Sequence, residues 1–215
     1  MPVTRAGIET FISDKITKVT ECNAADLSAE FADSRHWLGD FVLVVILNNR
    51  LPEKTRPLAL QFLRRIEAAF SEYARGRGEL LSLVTGSGGR WSSYFRALYH
   101  FEATIAQLYM AYDNGLRALR TYVRATPEKG GAKDMKQFKR GDGSMLDRLN
   151  CIYDESKHAI PFGKKVVSRD QVVWITNSGI ESAGGLVTFA ELEEQLREYG
   201  GMARAILGGK FPATS

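Results

Sequence analysis

Few cysteines, few histidines and no long apolar run set the first limits on this chain. Only two of its 215 residues are cysteine, Cys22 and Cys151, far apart and without CxxC or Cys/His spacing. Such a pair builds neither a disulfide framework nor a zinc site, so two reduced thiols packing as small hydrophobes are expected. Three histidines, His36, His100 and His158, leave little choice of imidazole ligand or acid–base group. The most apolar run is Phe41–Leu47, far short of the roughly 20 residues that span a bilayer. The opening MPVTRAGIETFISDK has no apolar centre of the signal-peptide kind, so a cytoplasmic protein with no membrane partner is expected. Charge of one sign is scarce too. Twenty-nine Lys and Arg stand against 25 Asp and Glu, a formal net charge of +4, well below the basic stripe of a dedicated nucleic-acid binder.

What is present is globular. Hydrophobic residues at 44% and charged residues at 25% exclude wholesale disorder, and the length suits one generous core. Ile8, Phe11, Ile12 and Ile16 space a short helix over 6–20, and a second follows near 25–31. The FVLVVIL run within 35–49 is too short for periodicity to separate buried helix from strand, and its helical surroundings favour helix. A clearer helix opens at Pro57 and carries Phe62, Ile66, Phe70 and Tyr73 on one face, with RGRG ending the pattern. The strongest signal lies between Trp91 and Val123. Tyr94, Leu98, Phe101, Ile105, Leu108, Tyr112, Leu116, Leu119 and Val123 recur at three and four, one seam facing a partner helix over many turns.

Residues 126–143, rich in Gly and Lys, read as a mobile loop. Ser144 then caps a helix running to His158, with Asp147 in its first turn. VVSRDQVVWIT is β-branched, NSG is a turn, and 180–187 returns as a strand. Thr188 and Glu191 form a capping box opening the last helix, which Gly200-Gly201 should break. The expected fold is mainly α: a helical bundle over 1–160, with a small β-hairpin and final capped helix over 161–215 packed on the same core, one domain overall.

His158 is the leading chemical candidate. Asp154 and Glu155 lie four and three residues before it on one helix face, where a carboxylate can fix the imidazole tautomer or raise its pKa. Lys157 and His158 also suit a helix C-terminus without any further role. The run Asn150-x-x-Tyr153-Asp154-x-x-Lys157-His158, after a long helix bearing a Tyr and a Glu, resembles the HEPN superfamily of helical domains over roughly 91–158. The resemblance implies binding of, or action on, RNA or nucleotides, in a setting such as bacterial defence or toxin–antitoxin systems. It makes His158 an acid–base group or a hydrogen-bond donor to phosphate, Asp154 its orienting partner and Lys157 a charge stabiliser. Ribonuclease members carry an arginine just before the polar residue, and here that position is Tyr153. Arg148 is about 15 Å from His158 along one helix, too far to share a phosphate.

Glu102 is a second candidate, sharing a face with Tyr99 beside the long seam. Glu155-x-x-His158 has the spacing of di-iron bundles, with Asp33-x-x-His36 as a looser echo. Such sites need two of these helices and two more glutamates, so no metal is expected. TGSGGR lacks the Gly-Lys-Ser/Thr of a Walker loop and reads as a connector, so no cofactor is expected either. Lys129, Lys133, Lys136, Lys139, Arg140, Lys164, Lys165 and Arg169 bracket the His158 helix, a local field for phosphates if they gather there. The partners to consider are RNA or a nucleotide, a second copy of the chain, and another protein. The alternatives to the HEPN reading are a non-catalytic homodimeric interaction module and a metal-dependent helical-bundle enzyme.

Overall fold

A computed structural model describes residues 5–126, 138–158, 173–182 and 185–209. In chain order these form α1 (Arg5–Thr17), α2 (Ser28–Ser34), α3 (Trp37–Asp40), a π-helical segment (Phe41–Ile46), α4 (Arg56–Thr85), α5 (Arg90–Ala125) and α6 (Met145–His158). Strands β1 (Trp174–Ile175), β2 (Gly179–Ser182) and β3 (Gly185–Thr188) then lead into α7 (Phe189–Leu207). The architecture is mainly α with a C-terminal sheet and a final capped helix.

The hairpin of α4 and α5 is the frame. Its antiparallel register is marked by Glu79 with Arg96 at 2.9 Å, Glu72 with His100 at 2.6 Å and Arg65 with Gln107 at 3.1 Å. The expected stop at RGRG does not occur, and α4 runs through it to Thr85. Gly76 explains why. It is buried, and a Cβ there would stand 3.3 Å from the Phe101 ring and the His100 Cβ. The missing side chain lets α5 close on α4, and packing outweighs glycine's low helix propensity. The helix ends instead at Gly86, whose φ of +70° is the left-handed cap that glycine adopts without strain.

The seam of α5 is buried from Tyr94 through Tyr122. Tyr73 meets Phe101 edge-on at 5.8 Å, and Phe101 in turn meets Phe189 of α7 at 5.0 Å. From the other side, Phe62 touches Tyr199 and Trp37 touches Phe70. Side chains from both the long helices and the C-terminal stretch join one buried cluster. Gly200-Gly201 does not break α7, because Gly200 lies against Phe70 and Trp37 and the helix continues to Leu207.

The FVLVVIL run forms a helix of the wider π type. Leu47 and Arg50 donate to the carbonyls five residues back, and the Asn48 amide closes on those of Leu43 and Val44. Phe41 and Val45 are buried, while Val42, Leu43 and Leu47 remain exposed. The sheet is an antiparallel β1-β2-β3 meander, one strand richer than a hairpin. Tyr94 ties it to α5, its hydroxyl accepting from the Ile175 N–H at 3.0 Å. Thr188 accepts from the Glu191 N–H at 3.1 Å while Glu191 accepts from the Thr188 N–H at 2.9 Å, the capping box read from sequence. Among the described residues no helix is long and apolar enough to cross a membrane.

Candidate functional site

The start of α6 is built by one carboxylate. Ser144 Oγ accepts from the Asp147 N–H at 3.2 Å, the expected cap. Asp147 does more than favour the helix dipole. It is 5% exposed, and its two oxygens accept from the N–H groups of Gly141 at 2.9 Å and Gly143 at 3.1 Å. Both glycines have positive φ, +80° and +71°, as a turn of this tightness needs. Asp142 adds bonds from the N–H groups of Lys139 and Ser144. Residues 138–144 are therefore a structured turn folded onto α6, where a mobile loop was expected. The other expected loop residues from 127 to 137 lie outside the described ones.

This turn aims Arg140 along α6. Its guanidinium donates to Asp154 Oδ2 at 2.5 Å, with Asp154 19% exposed and Arg140 55% exposed. Behind the pair stand aromatic rings. Tyr153 stacks on Tyr109 of α5 at 4.9 Å, Tyr109 adjoins Tyr112, and Tyr112 meets Phe138 at 5.8 Å. Burial raises the Tyr109 phenol above its ordinary pKa, the charges of Asp154 and Asp113 add to this, and Arg140 opposes it. Tyr109 thus lies within electrostatic reach of the ion pair. Tyr112 is raised mainly by burial.

The candidates from sequence separate here. Tyr153 and Asp154 belong to the cluster, Tyr153 as a stacked ring and Asp154 as the arginine's acceptor. His158, Lys157 and Glu155 belong to the last turns of α6, and their side chains lie outside the described ones, as do Lys164, Lys165 and Arg169. Glu102 is half-buried and shares the Tyr109 face of α5, but two turns earlier, about 10 Å along the axis. Burial raises its carboxyl. Arg148 is occupied elsewhere, bonded to Glu191 of the α7 capping box and to the Gly143 carbonyl at 2.6 Å. His100 points away from the seam to Glu72. Of the looser metal echo, Asp33 accepts from the Trp37 indole and from Arg204. Among the described residues no three His, Cys, Asp or Glu side chains gather to hold a metal.

Sequence reading passed over Arg140 as one basic residue among several, and passed over Tyr109 because it lies off the buried seam. The available signal was Gly141-Asp142-Gly143 immediately before the Ser144 cap, a turn that sends the preceding residue back along the helix.

No protein-family model matches the chain, and no curated protein or solved structure matches it either. Fold and site together define a mainly α protein with an arginine–carboxylate pair set against a tyrosine stack.

Proposed function

We propose that this chain is a HEPN-like protein that binds RNA or nucleotides through α6 and its leading turn, in a setting such as bacterial defence or toxin–antitoxin systems. The observation that supports this reading is Arg140 on Asp154. An arginine is missing just before the motif's polar residue, and the 138–144 turn brings one to that residue from outside the helix. Guanidinium is suited to phosphate, offering a planar fork of donors. Arg140 supplies a positioned cation and Tyr109 a neighbouring aromatic ring. If the site cleaves RNA, His158 is the acid–base group, with Lys157 stabilising charge.

A second reading, a non-catalytic homodimeric interaction module, draws support from Tyr153. In the arginine's place stands a ring stacked on Tyr109 that joins α6 to α5. One experiment separates the two: binding and cleavage of a single-stranded RNA by wild type, His158→Ala and Arg140→Ala, at low and moderate salt. Salt-sensitive binding lost in Arg140→Ala, or cleavage lost in His158→Ala with the fold intact, supports the first reading. Absence of both in a folded wild-type protein sinks it.

A further inference from the structure

One stripe of α5 changes character along its length. Residues 91, 95, 99, 102, 106 and 109 recur at three and four and so share a face. Toward its C-terminal end α6 covers this stripe, with Tyr153 on Tyr109. Toward its N-terminal end Trp91, Phe95 and Tyr99 stay 41%, 42% and 66% exposed. Exposed aromatics at successive turns form a patch, and patches of this kind mark contact surfaces.

The rings are held in place by their neighbours. Trp91 and Phe95 adjoin at 6.3 Å, and Phe95 meets the buried Tyr94 edge-on at 5.6 Å. Tyr99 lies against His100 at 5.4 Å, and Glu72 holds His100.

Charge and area select the occupant. Glu102 follows Tyr99 by one turn and, among the described residues, has no hydrogen-bond or ion-pair partner; burial raises its carboxyl. The adjacent cation Arg96 is committed to Glu79. Aromatic faces attract cations, and an unpaired carboxylate at the end of the row completes the pairing. A phosphodiester on the same row would meet Glu102 as a like charge. Three half-open aromatic side chains offer roughly 300 Å², well short of the roughly 800 Å² per partner of a stable interface between whole proteins.

We propose that the Trp91–Phe95–Tyr99–Glu102 stripe docks a short basic segment of a protein partner, seating an arginine or lysine on the aromatic faces with its charge paired to Glu102. The site is separate from the Arg140–Asp154 pair and stands whether or not the RNA reading holds.

The test uses the full chain and calorimetric titration at low salt with three probes: an amphipathic Leu/Arg peptide, the same peptide with Glu for Arg, and an oligouridylate. The Arg peptide is expected to bind and the Glu peptide not. Glu102→Gln and Tyr99→Ala should each weaken binding by roughly tenfold with an unchanged circular dichroism spectrum, and Arg140→Ala should leave it as it was. Equal binding of both peptides, or indifference to Glu102→Gln, overturns the proposal. So does an oligouridylate that depends on Tyr99 when neither peptide binds, which makes the stripe a base-stacking surface.

Discussion

Arg140 and Asp154, fourteen residues apart in the chain, meet at 2.5 Å on the flank of α6. The contact exists because Asp147 gathers the N–H groups of Gly141 and Gly143 and folds the preceding turn back over the helix. Position, more than pairing energy, is what this ion pair supplies. Both partners reach solvent, and such pairs are worth about 0–1 kcal/mol.

The proposed phosphate role therefore makes two substitutions diverge. Arg140→Ala should weaken oligouridylate binding by roughly tenfold at low salt, and the gap should narrow as salt rises. Asp154→Asn should strengthen binding, because it removes a competing anion from beside the guanidinium. Urea midpoints of both variants should stay within about 1 kcal/mol of wild type. Weaker binding in Asp154→Asn would contradict the role given to Arg140.

Asp147→Ala should be the costly change in this region. It removes the buried carboxylate that accepts from the N–H groups of the exposed Gly141 and Gly143, and losing hydrogen bonds to a charged group costs about 1–3 kcal/mol by urea unfolding. Its RNA affinity should fall in step with Arg140→Ala, since the turn no longer aims the arginine. Stability lost with affinity kept would show that the turn does not position Arg140.

Three helix-interior glycines separate by their surroundings. Gly201 is exposed, with nothing within 4 Å of where a Cβ would stand, so Gly201→Ala should stabilise by about 0.5–1 kcal/mol. Gly76 faces Phe101 and His100 at 3.3 Å, and Gly76→Leu should cost about 1–3 kcal/mol by overpacking. Gly200, in ordinary contact with Phe70, should accept alanine with little change. Thermal midpoints of the three variants check the order.

Two glutamates act on the acid limb with opposite signs. Burial raises the Glu102 carboxyl, so its contribution is present below the unfolded-state pKa and is lost as pH rises through the folded value. Burial also pushes Glu191 up, but the Thr188 N–H and hydroxyl and Arg148 outweigh it and leave the carboxyl below its ordinary value. The Glu191 contribution is present above the unfolded-state pKa and is lost as pH falls through the folded one. Glu102→Gln should thus stabilise at neutral pH and match wild type below about pH 4. Glu191→Gln should destabilise at neutral pH and converge with wild type in stronger acid. Urea midpoints from pH 3 to 7 measure both, and a gap that is constant across that range would refute either assignment.

Much of the fold was legible because its signals are local. The α5 seam repeats at the helical period, and Thr188 with Glu191 satisfies the start of α7 within four residues. The errors fall where distant residues decide. RGRG looks like a stop until Phe101 is seen to need the space at Gly76. Gly200-Gly201 looks like a break until Phe70 and Trp37 are seen packed on Gly200. The site divides in the same way. Asp154 stood out through its helical spacing to His158 and Tyr153 through its place in the motif, whereas Arg140 and Tyr109 reach them from another turn and another helix.

By itself the sequence determined the helical class, the long seam, the Ser144 and Thr188 caps and the presence of a small C-terminal β-element, since each rests on contacts between residues a few positions apart, whereas the expected single strand over 180–187 is two strands, β2 and β3, paired with each other. Tertiary structure alone decided which arginine meets Asp154, which glycines stay inside helices, and which half of the α5 stripe remains open. Those outcomes depend on surfaces that come together only when α4, α5, α6 and α7 close around one core.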